Sequence, residues 1–124
     1  MIFDENNNFI GTVGYKRESD FELTLGYRLL KHNYRQKGYM TETLESFVDY
    51  IFRNKSDIQR LSLYIHSENI GSKRVAVKCG FIYEGTMREA YKYRNKLVDF
   101  EIYSLLRKEY DTIIMVKKGA ELND

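Results

Sequence analysis

The residues with the most chemical potential are Arg35-Gln36-Lys37-Gly38-Tyr39-Met40, where a strand pattern gives way to a helix pattern. The first turn of a helix carries backbone N–H groups with no intrahelical partner. The helix dipole adds about half a positive charge at that end. A glycine lets a ligand approach the backbone closely, and Arg35 and Lys37 add cationic charge beside it. Such a corner suits a phosphate or pyrophosphate. The same residues also fit an ordinary strand-to-helix connection with solvated basic side chains. Two familiar phosphate loops are excluded. Lys37 precedes Gly38 with no correctly spaced glycine before it, so GxxxxGK[ST] is absent, and no GxGxxG occurs.

Other reactive side chains are scattered along the chain. Glu22 and Thr24 fall on the polar side of a strand. Glu22 is there a candidate base, or a group that binds a cationic acceptor, and equally a solvated strand residue. Ser72 lies one helical turn after Asn69 at the opening of a second helix. His66 follows Ile65 at a strand end, where simple exposure accounts for it. Cys79 reads as a small buried helix residue rather than a nucleophile. Tyr91, Tyr93 and Tyr103, with Lys92, Arg94 and Lys96, are the types that stack on and pair with nucleic acid. A hairpin with amphipathic aromatics explains them as well.

The elements that must position these groups follow from periodicity. Ile2 to Glu5 and Phe9 to Lys16 read as strands joined through Asn6-Asn7-Asn8, since asparagine tolerates left-handed backbone. Phe21, Leu23, Leu25, Tyr27 and Leu29 alternate with Glu22, Thr24, Gly26 and Arg28, the period-two pattern of a half-buried strand. Met40, Leu44, Phe47, Val48, Ile51 and Phe52 form one apolar stripe at helical period. Ile58 to Ile65 is a further strand. Asn69 caps a helix that runs to about Cys79 and exits at Gly80. Phe81 to Tyr93 and Leu97 to Leu106 pair as a hairpin around Arg94-Asn95-Lys96. The expected order is β-β-β-α-β-α-β-β, an α/β mixture with two helices on a mixed, mostly antiparallel sheet. The one parallel crossover is expected between 21 and 65. Residues 1–110 form the expected domain and residues 111–124 a C-terminal tail, whose apolar run Ile113 to Val116 fits no element.

Composition bounds the remaining choices. A chain of 124 residues with 43% hydrophobic and 31% charged residues folds as one domain. A net charge of +2 gives no whole-protein field for nucleic acid or an anionic membrane. The single cysteine excludes an intramolecular disulfide and a cysteine zinc cage, and two histidines argue against a metal centre. No apolar run approaches the roughly 20 residues of a membrane span. With no basic-then-apolar leader at residue 1, a cytoplasmic location is expected.

The string Arg35-Gln36-Lys37-Gly38-Tyr39-Met40-Thr41-Glu42 resembles the (Q/R)-x-x-G-x-(G/A) acyl-CoA motif of the GNAT superfamily of N-acetyltransferases. Its resemblance is to the branch that includes the ribosomal-protein-alanine N-acetyltransferases. Asn69-Ile70-Gly71-Ser72, then Lys78-Cys79-Gly80-Phe81, Glu84-Gly85 and Arg88, is similar to that branch's N-x-x-S…K-x-G-F…E-G…R run. Asp99 to Leu106 resembles its terminal strand. The likeness covers about residues 9–110 in order, with one departure, Met40 in place of Gly or Ala.

The resemblance implies a GNAT-like fold and acetyl-CoA as co-substrate, with an amine acceptor on a protein N-terminus or a small molecule. It implies that the pyrophosphate rests on N–H groups from Gln36 to Met40, with Arg35 and Lys37 assisting. The pantetheine arm then pairs with Tyr27, Arg28, Leu29 and Leu30, and Asn69 bonds it from the far side. Direct attack needs a neutral amine, a donor for the oxyanion, expected at the Leu29 N–H, and an acid for the thiolate. The tyrosine that many relatives use is replaced by Ala76, which leaves Ser72 as the candidate acid. Domains of this branch begin with a strand and two helices before the first hairpin seen here. The expectation is therefore a chain without them, a less complete acceptor pocket, and a homodimer or strand exchange that covers the exposed surface. The alternatives are an acyl-CoA-binding module without turnover and an interaction protein.

Overall fold

The computed structural model describes residues 2–3, 9–29 and 38–123, with side chains described for residues 13–26 and 38–119. Six strands and three helices follow in the order β1 (Ile2–Phe3), β2 (Phe9–Arg17), β3 (Glu22–Leu29), α1 (Tyr39–Asn54), β4 (Arg60–His66), α2 (Ile70–Lys78), β5 (Ile82–Tyr93), β6 (Lys96–Leu106) and α3 (Arg107–Asn123). The sheet order is β1-β2-β3-β4-β6-β5. Every neighbouring pair is antiparallel except β3 and β4, which run parallel around the α1 crossover.

One face of the sheet is apolar because of the period-two pattern. Leu23 stands opposite Leu61, and Leu61 opposite Leu105, so a ladder of buried leucines crosses three strands. Leu25, Leu63, Ile65 and Tyr103 extend it, and Leu44, Val48, Ile51 and Phe52 of α1 close over it. Each of these side chains is worth about 1.5–3 kcal/mol when taken from water. Ala76 of α2 and Ile113 of α3 pack on the same core, so the three described helices share one side of the sheet. The other side carries no described element.

The local signals are those expected. Asn69 caps α2, its Oδ1 accepting the Ser72 N–H at 3.1 Å. Gly80 leaves α2 with φ 92°, the left-handed exit that favours glycine. Arg94 and Asn95, with φ 50° and 60°, form the two-residue turn between β5 and β6.

Two expectations are corrected. Phe21 precedes β3 and its side chain is half-exposed, while its carbonyl accepts the N–H groups of Gln59 and Arg60 at 2.8 and 3.1 Å. The expected count of two helices becomes three among the described residues, and a boundary at residue 110 falls inside α3. Tyr110, Ile113 and Ile114 lie at helical spacing, and the first two pack against the core.

Two arginines hold this arrangement. Arg107 opens α3 and donates to the carbonyls of Phe52, Lys55 and Ile58 at 2.7–2.8 Å, with its guanidinium 4.8 Å from the Phe52 ring centroid. It satisfies the orphan carbonyls at the C-terminal end of α1 and sets a cation against that end of the helix dipole. On the bare face, Arg60 donates through Nε to Glu22 at 3.0 Å and through both terminal nitrogens to Glu84 at 3.0 and 2.6 Å. It thus joins β3, β4 and β5 over the intervening β6. Beside it Thr24 and the fully buried Ser62 share a hydrogen bond of 3.1 Å.

Arg107→Ala should lower the unfolding free energy by about 2–3 kcal/mol in urea titration, since it strips three carbonyls of a charged donor. Arg107→Lys should restore less than half of that, and an unchanged midpoint in Arg107→Ala would contradict the clamp. Hydrogen bonding to Arg60 is the main reason that the Glu84 carboxyl lies below its ordinary value of 4.5. Its stabilisation is therefore present in full above that value and lost as pH falls through the lowered one. Glu84→Gln should flatten the acid limb of stability against pH; an unaltered limb would show that the pair contributes nothing.

Candidate active site

The parallel pair β3–β4 is held together only at its start. Glu22, Leu23 and Thr24 pair with Arg60, Leu61 and Ser62, and no pairing follows, although β3 continues to Leu29 and β4 to His66. The strands part like a fork, with Arg60, Glu22 and the Thr24–Ser62 bond at its closed end. At about 3.3 Å per residue the arms beyond Thr24 and Ser62 run on for more than 10 Å. Arms that do not pair with each other leave the facing edge of each open to a ligand.

Each arm leads towards a helix N-terminus. After β4 the chain turns through Ser67 and Glu68 into α2, with the Asn69 N–H bonded to the His66 carbonyl at 2.9 Å. After β3 the described chain resumes at Gly38 and enters α1. Gly38 is the N-cap of that helix, with φ 75° and no side-chain hydrogen bond to cap it. A Cβ at Gly38 would meet nothing within 4 Å among the described residues, so on their side the helix start is open. Ligands of open α/β sheets sit beyond the carboxyl ends of diverging strands, near such helix starts.

The residues singled out in the sequence fall into three groups. Gly38, Tyr39 and Met40 form the start of α1, and Asn69 and Ser72 the start of α2. Met40, the departure from Gly or Ala at this position, is buried. Asn69 uses Oδ1 for the cap, and its amide nitrogen has no partner among the described residues. Tyr27, Arg28 and Leu29 lie on the outer arm of β3, described by their backbone alone. Leu30, Arg35, Gln36 and Lys37 lie outside the described residues.

Glu22 stands apart from this group. It sits at the closed end of the fork, and its carboxylate is the partner of Arg60. Glu84 likewise belongs to Arg60, whose guanidinium is raised above its ordinary value chiefly by the bond to Glu84. Ala76 is fully buried in the core, at the position where a phenol was sought. A different phenol, Tyr103, is buried nearby in β6, where burial and a 2.9 Å bond to Glu101 push it up to about 12. Lys73 completes that chain at 2.9 Å from Glu101, so Tyr103 donates inward and stays protonated.

Cys79 lies between α1 and α3 in a cavity of about 450 Å³, lined also by Glu45, Asp49, Lys78, Tyr110 and Lys117. Burial pushes its thiol up to about 12, in keeping with an unreactive residue. Simple exposure does not describe His66, which is half-buried. Its Nδ1 instead accepts the Glu68 N–H at 3.1 Å, and its ring meets Tyr93 edge-on with centroids 6.1 Å apart. The sequence signal was there, a histidine two residues before a backbone turn, but such a pair has no fixed meaning until the turn geometry is known.

Comparison with known proteins accounts for this architecture. The Acetyltransferase (GNAT) domain family matches residues 1–82. An uncharacterized N-acetyltransferase p20 of Bacillus licheniformis is 29% identical over 112 residues, which are 89% of this chain and 62% of that protein. Among solved structures, the ribosomal-protein-S5-alanine acetyltransferase of Vibrio fischeri superposes with a TM-score of 0.76 at 25% identity, covering 85% of this chain and 58% of the other. The spermidine/spermine N-acetyltransferase SpeG of Vibrio cholerae has the same fold, with a TM-score of 0.79 at 20% identity over 89% of this chain and 66% of its own. The chain thus spans 58% to 66% of the length of these three proteins. The chain belongs to the GNAT acetyltransferase family.

Proposed function

We propose that this chain binds acetyl-CoA in the β3–β4 fork and transfers the acetyl group to a primary amine by direct attack. The observation that carries the reading is the early end of β3–β4 pairing, with arms that lead towards the starts of α1 and α2. In this reading the pyrophosphate rests at the start of α1, where Gly38 leaves room and the helix dipole favours an anion. Arg35 and Lys37 add charge from the preceding loop. The pantetheine amides pair with the backbone of Tyr27 to Leu30 as an added strand would, and the Asn69 amide approaches from the α2 side. The thioester then lies between the arms.

The acceptor must lose a proton before it attacks, to bulk water or through ordered water, because Glu22 is tied to Arg60 at the far end of the fork. The Leu29 N–H is the candidate donor for the oxyanion, and Ser72 the candidate donor for the departing thiolate. A protein N-terminus and a small amine are both acceptors that relatives' names support. One relative is named for an alanine of ribosomal protein S5, and SpeG for spermidine and spermine. The second reading, an acyl-CoA-binding module without turnover, is favoured by Ala76 and by the commitment of Glu22 to Arg60.

Two measurements separate these readings. Calorimetry should detect acetyl-CoA binding to the wild-type chain. Gly38→Glu should weaken it at least 100-fold, because a carboxylate then faces the pyrophosphate. The positive φ strains any non-glycine residue at this position, so Gly38→Asn, which tolerates that backbone, serves as the control and should bind far more tightly than Gly38→Glu. Equal affinity in wild type and Gly38→Glu would overturn the site. Thiol release from acetyl-CoA across a panel of amines then decides turnover, and binding with background release would leave the module reading standing.

A further inference from the structure

The bare face of the sheet is not featureless beside the fork. Along β4 the residues on that face are Arg60, Ser62, Tyr64 and His66, the last two on the unpaired arm. Counting six residues from the Glu22–Arg60 pair along each arm brings His66 level with Arg28, so His66 flanks the open end. Next to it, on the same face, Phe100 pairs with His66 across β6 and stacks on Tyr91 with centroids 5.4 Å apart. Tyr93 meets the His66 ring edge-on, and the Arg94 guanidinium lies 5.2 Å from the Tyr93 ring centroid. Tyr64, Met87, Tyr91 and Tyr93 are all about half-exposed.

One bond fixes which tautomer the neutral His66 ring takes. Its Nδ1 accepts the Glu68 N–H at 3.1 Å, so in the neutral ring the proton is on Nε2. Nδ1 cannot then serve as a base without breaking the turn that leads into α2, while Nε2–H is a donor. The charges nearby are settled differently. Glu22 and Glu84 are held by Arg60, and Glu18 accepts from Thr24 at 2.9 Å. What this face offers beside the fork is an imidazole N–H donor, aromatic surface and the Arg94 guanidinium on Tyr93.

The three described helices occupy the other face, and the α1 corner that suits phosphates is on that side. A thioester held between the arms therefore presents the bare face to an incoming amine. We propose that His66, fixed as its Nε2–H form by the Glu68 amide and braced by Tyr93, is a specificity-determining donor that binds an oxygen of the acceptor close to its reacting amine. The acceptor class is then an amine whose neighbouring carbon carries a carbonyl or comparable oxygen, in preference to a simple alkylamine. The inference rests on the acetyl-transfer reading and adds a residue and a chemical requirement to it.

The test compares L-alaninamide with 2-aminobutane as acceptors for wild type, His66→Phe and His66→Gln, with acetyl-CoA affinity measured on each. Phenylalanine keeps the ring contact with Tyr93 and removes the donor; glutamine returns a donor. Because each acceptor is compared with itself across variants, differences in amine basicity cancel. His66→Phe should raise KM for alaninamide by about tenfold, the scale of one hydrogen bond. It should leave 2-aminobutane and acetyl-CoA affinity unchanged, and His66→Gln should recover most of the loss. A purely structural role would lower activity with both acceptors alike. That result, or an alaninamide preference that is absent from wild type or unaltered in His66→Phe, overturns the proposal. Wild-type protein that binds acetyl-CoA but turns over neither acceptor overturns it together with the acetyl-transfer reading. Failure to bind acetyl-CoA overturns the site itself.

Discussion

The architecture depends on one limited interaction, a parallel strand pair that stops after three residues inside an otherwise antiparallel sheet. Antiparallel neighbours on the outer sides, β2 against β3 and β6 against β4, keep each arm straight and paired on its far edge. The arms are thus rigid although they do not touch each other beyond Thr24 and Ser62. Backbone groups on the facing edges have no strand partner there among the described residues, which is costly in an empty interior and useful in a binding cleft. Arg60 makes the arrangement possible by tying the closed end across the sheet, while the Leu23–Leu61–Leu105 ladder fixes the register beneath it.

The two faces of the fork divide the work. On one side the helices bring their N-termini and the apolar core that anchors them. Arg107 ties the end of α1 to the start of α3. On the other side lie no helices among the described residues, only the polar tie around Arg60 and the aromatic strip of Tyr64, Tyr91, Tyr93 and Phe100. A reaction between a phosphate-bearing thioester and an amine needs that asymmetry. The anionic carrier and the acceptor should not compete for one entrance.

Much of this was legible in the residues. The alternation of Leu23 and Leu25 with Glu22 and Thr24, the α1 stripe and the Asn69 cap are local signals, and each element formed where its pattern indicated. The strand-to-helix change of pattern also placed Gly38 at the start of α1, where it is the N-cap. The rest depends on distance along the chain. Arg60 finds Glu22 and Glu84 from 38 and 24 residues away, and no sequence pattern announces such a tie. Without it, Glu22 read as an available carboxylate. The apolar run Ile113 to Val116 fits no local pattern because only Ile113 packs, against Gly80 and the core, while Met115 and Val116 are exposed. His66 gained its meaning from a backbone turn rather than from a motif.

Amide hydrogen exchange with and without acetyl-CoA tests the central claim most directly, because it reports where backbone becomes bonded. The account predicts slowed exchange concentrated at residues 25–29 on the free arm of β3, at 38–41 at the start of α1 and at 69–72 at the start of α2, with the β5–β6 turn at 94–95 unaffected. Slowed exchange confined to the β5–β6 hairpin, or no change at saturating acetyl-CoA, would contradict it.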